Sequence, residues 1–241
     1  RITGVRWGIV AAYKEAVKNA VPLVRARCDV PIRLRKVNMP LDIGLDAAWQ
    51  ELQALSPYVV GAKSGADFRE GHFYLPFFNR TISVPIPRGK VTDEKSAAIP
   101  PYLEMLLLHY LITADGTPVA DQWITYRQLP GAALFEGRFN NMAVRSLLQT
   151  FGNDLEGFRR AGEALGGVPM TRTGDAAFRF MALPQLPMAA ILYLGDEDVS
   201  PSINVLFDAS APHYLPTEDL SYLGVYLSTA MRSFKSGAKS G

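Results

Sequence analysis

The stretch "AAFRFMALPQLPMAAILYL" (residues 176–194), followed by "INVLFDA" (residues 203–209), decides the fold class. The two segments contain three short apolar runs bounded by Pro, Gly and Asp, which is the pattern of buried strands separated by turns. No alternation of strands and helices long enough for a doubly wound parallel sheet accompanies them. We therefore predict a mainly antiparallel sheet.

A hairpin is predicted earlier in the chain, from "HFYLPFF" (residues 72–78) and "TISVPI" (residues 81–86). The intervening Asn79 and Arg80 predict the turn, since Asn tolerates the positive φ that tight hairpin turns require. Each of the two runs contains a proline, which cannot donate to a strand ladder. At least one of the two strands is therefore expected at a sheet edge.

Helices are predicted on both sides of these strands, because apolar residues recur there at helical spacing and the segments end at Pro or Gly. The predicted helices are "LDAAWQELQAL" (residues 45–55, after a connector at residues 38–44), residues 101–114, "AVRSLLQTFG" (residues 143–152), "LEGFRRAGEALGG" (residues 155–167) and a last helix from about residue 216 to about Phe234. The predicted fold class is α+β, a mainly antiparallel sheet flanked by helices in a single domain.

The charge distribution separates the beginning of the chain from the rest. Residues 1–36 contain nine Lys and Arg against Glu15 and Asp29. We predict a basic extension of one helix and one strand at residues 1–40, the α+β domain at residues 41–235 and a disordered tail at residues 236–241. The basic segment suits an acidic partner. A solvated surface is the alternative, and nucleic acid is not favoured because no aromatic residues interleave a basic patch.

Composition excludes several classes of protein. No apolar run approaches the roughly 18 residues of a membrane span. The single Cys28 excludes an internal disulfide and an iron–sulfur cluster held by four cysteines of this chain. We therefore expect a cytoplasmic protein with no membrane partner. Phosphate-binding glycine loops with their known spacings are also absent from the sequence.

Two of the three histidines begin the same tripeptide, His-Tyr-Leu. His213 follows the last predicted strand, in a loop bracketed by two prolines, and Asp208, Glu218 and Asp219 lie within the same twelve residues. These four residues form a candidate catalytic set, in which a carboxylate orients His213 as a general base. His213 and Asp208 are also candidate ligands of a divalent cation. The alternative is that Glu218 and Asp219 complement a helix dipole while Asp208 caps a turn.

The other His-Tyr-Leu segment lies in the apolar helix at residues 101–114. A buried, neutral His109 could bind a metal or a tetrapyrrole, with Met105 one turn away as a soft partner. Tyr110, Tyr214 and Asp115 complete this candidate cofactor-binding set, and the cleft is predicted to lie between the two His-Tyr-Leu segments. The alternative is a core histidine whose ring nitrogens bond to a backbone carbonyl or to a tyrosine. The third histidine, His72, is predicted to be a surface or packing residue.

A series of long strings resembles an uncharacterised prokaryotic family, domain of unknown function 3786. They follow one another in order through most of residues 45–230, and they include "FYLPFFNRTISV", "LLLHYLITADGTP", "WITYRQLPGAALF" and "NVLFDASAPHYLPTEDL". The resemblance implies an anaerobic setting, since similar chains occur mostly in anaerobic bacteria and archaea. Some are fused to a four-cysteine domain like that of corrinoid iron–sulfur proteins. The resemblance thus implies an iron–sulfur or corrinoid protein as partner, but no activity.

Three functions remain open at this point. The first is an accessory or cofactor-binding protein of anaerobic metabolism, which binds a metal or tetrapyrrole cofactor, or its carrier protein. The second is an interaction module without chemistry that docks through its basic extension. The third is an acid–base or metal-assisted hydrolase that uses His213 and the nearby carboxylates. The sequence identifies neither a substrate nor a cofactor.

Overall fold

The computed structural model describes residues 41–237, and it describes residues 41–43 by their backbone alone. The predicted basic extension at residues 1–40, with its helix, its strand and Cys28, lies outside the described residues. So do residues 238–241 of the predicted tail. Residues 236 and 237 form the end of the last helix.

The described residues form seven α-helices and nine strands. The helices are α1 (Leu41–Ala54), α2 (Pro57–Ser64), α3 (Pro101–Thr113), α4 (Glu136–Phe139), α5 (Arg145–Phe151), α6 (Leu155–Ala164) and α7 (Thr217–Gly237). The strands are β1 (Asp67–Arg69), β2 (His72–Phe77), β3 (Arg80–Pro85), β4 (Thr92–Asp93), β5 (Trp123–Thr125), β6 (Val168–Pro169), β7 (Ala176–Leu183), β8 (Leu186–Tyr193) and β9 (Ser202–Asp208). A π-helical stretch (Asn140–Val144) joins α4 to α5.

The larger sheet confirms the three strands predicted at residues 176–209. Its strand order is β5-β9-β8-β7-β6, and every neighbouring pair is antiparallel. The central strand β8 is buried on both faces along almost its whole length. On β7, Phe178 and Phe180 point to the core, whereas Arg179 and Met181 lie on the opposite, more exposed face. Helix α6 packs on the core face through Phe158.

The second sheet has four antiparallel strands in the order β1-β2-β3-β4, and it contains the predicted hairpin. The turn lies one residue earlier than predicted, at Phe78 and Asn79, because Arg80 pairs with Phe77. Phe78 takes the positive φ, 51°. The expected edge strand was wrong: β2 and β3 are both inner strands. Their prolines are tolerated because β1 and β4 are short and stop before reaching them.

Helix α3 lies at the centre of the fold and is buried on most sides. The hydroxyl of Tyr110 donates to the Ser64 carbonyl of α2 at 2.6 Å and accepts from the Gln185 backbone N–H at 3.1 Å, in the turn between β7 and β8. Helix α1 begins at Leu41, four residues before the predicted start, and the indole of Trp49 donates to Glu104 of α3 at 2.8 Å. None of the helices in residues 41–237 has the length and apolar character that crossing a membrane requires.

The contact between α6 and β7 generates the first testable prediction. A Cβ placed on Gly162 would lie 2.5 Å from the buried ring of Phe178. Overpacking of this kind costs about 1–3 kcal/mol, which exceeds the roughly 1 kcal/mol that Ala gains over Gly within a helix. We expect Gly162→Ala to lower the free energy of unfolding, measured by urea titration followed by circular dichroism.

Gly137→Ala is the matched control for this measurement. Gly137 also lies in a helix, and nothing approaches its Cβ position within 4 Å. We expect this variant to be at least as stable as the wild type. Equal stability of the two variants would contradict the packing of α6 on β7.

Candidate functional site

The two His-Tyr-Leu segments lie against each other. One is the end of α3, and the other contains a short 3₁₀ turn (Ala211–His213) that leads into α7. The rings of Tyr110 and Tyr214 stack with their centroids 5.8 Å apart and their planes inclined by 26°. The hydroxyl of Thr113 donates to the carbonyls of both His109 and Tyr214. The repeated tripeptide therefore marks a contact between α3 and the start of α7.

His109 pairs with a carboxylate from the other segment. Its Nδ1 lies 2.6 Å from Oδ2 of Asp219, in the first turn of α7. A carboxylate only accepts hydrogen bonds, so the imidazole donates from Nδ1. The His109 side chain is 29% exposed and that of Asp219 is 12% exposed. The pair is therefore a partly buried connection between α3 and α7.

His213 forms the reverse pair. Its Nδ1 lies 3.0 Å from Oδ2 of Asp115, which follows the end of α3. Thr117 fixes the carboxylate, since its hydroxyl and backbone N–H donate to the other Asp115 oxygen at 2.6 and 2.9 Å. Thr117 Oγ1 also lies 3.2 Å from Nδ1 of His213. The His213 side chain is half exposed.

The two pairs are reciprocal, because each histidine binds the aspartate that belongs to the other segment. We expected a carboxylate from Asp208, Glu218 or Asp219 to orient His213, but the carboxylate that does so is Asp115. Asp219 binds His109 instead. The physical reason is that α3 ends directly beside the 3₁₀ turn that carries His213. Sequence proximity did not indicate this contact.

Asp208 is completely buried and holds the turn after β9. Its Oδ1 accepts from the backbone N–H groups of Ala120 and Ser210 at 2.9 Å each and from the Ser210 hydroxyl at 2.6 Å. Burial disfavours the charged carboxylate, but these hydrogen bonds outweigh burial and lower the pKa of Asp208. Asp208 therefore caps the turn after its strand, which was the alternative to a catalytic or metal-binding role. Its Oδ2 has no hydrogen-bond partner among the described residues.

The remaining members of the predicted cofactor-binding set have packing roles. Tyr110 and Tyr214 are fully buried, and their hydroxyls donate to backbone carbonyls. The methyl of Met105 lies against Gly44 of α1, so Met105 fills space between two helices. The two segments thus form a packed contact, and the predicted cleft between them is filled by the stacked tyrosine rings.

The electrostatic surroundings of His109 include two carboxylates besides Asp219. Burial disfavours its charged form, yet the hydrogen bond to Asp219 and the surrounding negative charges raise the pKa of His109. Those charges belong to Asp219, Glu51 of α1 and Glu218. Burial raises the pKa of Glu51, and the charge of His109 opposes that shift. Sequence reasoning missed both Glu51 and Thr117, because each lies far along the chain from the histidine that it influences, His109 for Glu51 and His213 for Thr117.

The environment of Asp115 has the opposite effect. Burial disfavours its ionised form, but the hydrogen bonds from Thr117 and His213 are stronger and lower the pKa of Asp115 to about 2. Asp115 is therefore ionised throughout the neutral range. An ionised aspartate on Nδ1 fixes the ring orientation and leaves Nε2 of His213 as the basic nitrogen.

This arrangement limits the chemistry of the site. No group of three or more His, Cys, Asp or Glu side chains within residues 41–237 is arranged to hold a metal ion. Two surface pockets of about 310 and 320 Å³ lie elsewhere, one at residues 195–201 and one beside Phe78 and Met181. The site therefore offers one oriented, half-exposed imidazole, that of His213. Such a group can form a single bond to a metal or can transfer a proton.

The His109–Asp219 pair predicts a specific pH dependence of stability. A histidine whose pKa is raised on folding contributes stability that is fully present below its unfolded value, 6.5, and is lost as the pH rises through the folded value. We therefore expect His109→Gln to be less stable than the wild type at about pH 6. The difference in their free energies of unfolding, measured by urea titration, should become smaller as the pH rises to about 9.

His72→Gln serves as the control for this experiment. The Nδ1 of His72 lies 3.0 Å from the Glu70 carbonyl oxygen, and no carboxylate of the described residues pairs with it. Comparison with His72→Gln therefore separates the effect of the ion pair from the effect of replacing any histidine with Gln. A difference in the free energy of unfolding between wild type and His109→Gln that does not change with pH would show that the imidazolium of His109 does not stabilise the fold.

Comparison with known proteins gives a family and no activity. No functionally curated protein and no solved structure matches the chain. The family model described as "Domain of unknown function (DUF3786)" matches residues 56–230, a range that includes both histidine–aspartate pairs. This match confirms the family indicated by the motifs. The chain belongs to the DUF3786 family of domains of unknown function.

Proposed function

We propose that the protein is an accessory protein of anaerobic metabolism that binds a tetrapyrrole-type metal cofactor, either free or held by a carrier protein. In this proposal, the Nε2 atom of His213 coordinates the metal of the cofactor. The observation that carries the proposal is the hydrogen bond of 3.0 Å between Nδ1 of His213 and the Asp115 carboxylate. Histidines that bind metals through one ring nitrogen commonly donate the other N–H to a carboxylate.

The number of available ligands favours a cofactor over a bare ion. A structural or catalytic metal ion usually needs three or four protein ligands, and the described residues contain no such group. A tetrapyrrole supplies the equatorial ligands itself and needs only an axial ligand from the protein. A single, exposed and oriented imidazole fits that requirement. Bound cofactors of this type supply one-electron and radical chemistry that side chains do not provide.

His213 suits the ligand role better than His109 for two reasons. The His213 ring is half exposed, whereas His109 is 29% exposed and enclosed by α1 and α7. The pKa of His109 is also raised, which favours the protonated imidazole, and a protonated imidazole cannot bind a metal. We therefore assign His109 to holding α3 against α7 and His213 to the ligand.

The supporting role of Asp115 follows from its contacts. The carboxylate is held from one side by two donors of Thr117 and from the other by His213. Its low pKa keeps the acceptor charged, which fixes the orientation of the imidazole. The implied iron–sulfur or corrinoid partner supports the choice of a corrinoid as one of the test ligands.

The test is a titration of the full chain with hemin and, separately, with aquocobalamin, followed by absorption spectroscopy under anaerobic conditions. We expect at least one of the two to show the spectral shift of an added axial imidazole. His213→Ala should abolish that shift. Asp115→Asn should weaken binding by roughly 10- to 100-fold, the usual effect of removing a carboxylate that orients a metal-binding histidine.

The matched control is His72→Ala, since His72 is a surface histidine with a backbone carbonyl on Nδ1 in place of a carboxylate. Its titration should reproduce that of the wild type. The proposal fails if neither ligand shifts, or if the shift survives in His213→Ala. Circular dichroism of each variant confirms that a lost shift does not reflect unfolding.

A further inference from the structure

A cation–aromatic stack lies on the surface between α3, α4 and α7. The guanidinium carbon of Arg138 lies 4.4 Å from the centre of the Tyr222 ring. Tyr222 in turn stacks on Tyr102 of α3, with ring centroids 6.5 Å apart and planes inclined by 28°. Stacking on an aromatic ring restricts an arginine side chain and leaves the edge of its planar guanidinium free to donate.

Arg138 has no ionic partner among the described residues. No carboxylate oxygen of residues 41–237 lies within 4.0 Å of its guanidinium, although other exposed arginines such as Arg88 and Arg159 form ion pairs. The guanidinium has five N–H donors in a planar fork that matches a carboxylate. The stack therefore presents an ordered cation that no carboxylate of residues 41–237 neutralises.

Two large apolar side chains close to Arg138 in the chain are exposed. Leu134, four residues before Arg138, is 83% exposed, and Met142, four residues after it, is 51% exposed. Tyr102 is 48% exposed. The neighbouring positions on the same helical run, Phe139 and Ala143, are buried against the core, so this segment is rigidly held.

The backbone of this segment has a second unusual feature. Residues Asn140–Val144 form a π-helical turn between α4 and α5. Such turns are rare and frequently occur at functional sites. Here the turn begins two residues after Arg138 and includes Met142.

We propose that Arg138, Tyr102, Tyr222, Leu134 and Met142 form a docking surface for a partner protein, and that Arg138 binds an Asp or Glu side chain flanked by apolar residues. Interfaces are enriched in Arg, Tyr and Met, and their strongest contacts are aromatic or arginine anchors surrounded by apolar residues that exclude water. A phosphate ligand is less well matched, since only one cation contributes and its neighbours are apolar.

The test is a selection of short random peptides displayed on phage against the full chain, followed by affinity measurements on the selected peptides. We expect the selected peptides to contain Asp or Glu between apolar residues. Arg138→Ala should weaken their binding by about tenfold or more, as expected for a central arginine anchor. Arg138→Lys should also weaken it, because the planar fork is lost.

Arg145→Ala is the matched control. Arg145 is an exposed arginine at the start of α5, in the same helical run. Its replacement should change the affinity by less than about twofold. The proposal is overturned if no selected peptide depends on Arg138, or if the dependent peptides are not acidic. It is also overturned if Arg138 proves necessary for binding an oligonucleotide or anionic vesicles instead.

Discussion

The contact between the end of α3 and the 3₁₀ turn before α7 is the interaction on which the rest of the structure depends. Tyr110 and Tyr214 stack at its centre, and a histidine–aspartate pair lies beside each ring. Tyr110 also connects α3 to α2 and to the turn between β7 and β8. One buried contact therefore joins α2, α3, the start of α7 and the larger sheet. A partly buried polar network needs all of its members in place to be stable.

The two histidine–aspartate pairs are alike in bonding but different in environment. Burial disfavours the charged form of His109, but its hydrogen bond to Asp219 and the charges of Asp219, Glu51 and Glu218 raise its pKa, so the pair that connects α3 to α7 favours the imidazolium. His213 is half exposed and is fixed by an aspartate that is itself fixed by Thr117. The same tripeptide thus gives one structural and one accessible imidazole. This difference is the basis for assigning the ligand role to His213.

The sequence was informative where the signal is local. The structure confirms the antiparallel sheet that the apolar runs at residues 176–209 predicted. Helical spacing identified α3, which carries His109, and α7, which follows His213. The hairpin turn was displaced by one residue, because Arg80 is polar yet pairs within the ladder. The prediction that Pro76 or Pro85 marks an edge strand was wrong, because the sequence does not show that β1 and β4 are short enough to leave these prolines unpaired on the outer side of their strands.

The candidate site was less predictable because its contacts are distant in the chain. Asp115 and His213 are 98 residues apart, and His109 and Asp219 are 110 residues apart. Nearby carboxylates such as Asp208 were the natural choice from spacing alone, yet Asp208 caps its own turn. Glu51 and Arg138 carry no motif at all. Their roles follow only from the packing of α1 and α4 against the other helices.

The central claim is that Asp115 holds His213 with its Nδ1 protonated and its Nε2 free. Long-range ¹H–¹⁵N correlation spectra of the histidine rings measure this directly, at a pH where His213 is neutral. We expect the neutral His213 ring to carry its proton on Nδ1 in the wild type, and Asp115→Asn to weaken this preference. A neutral His213 with its proton on Nε2 would show that Asp115 does not hold the ring in this way.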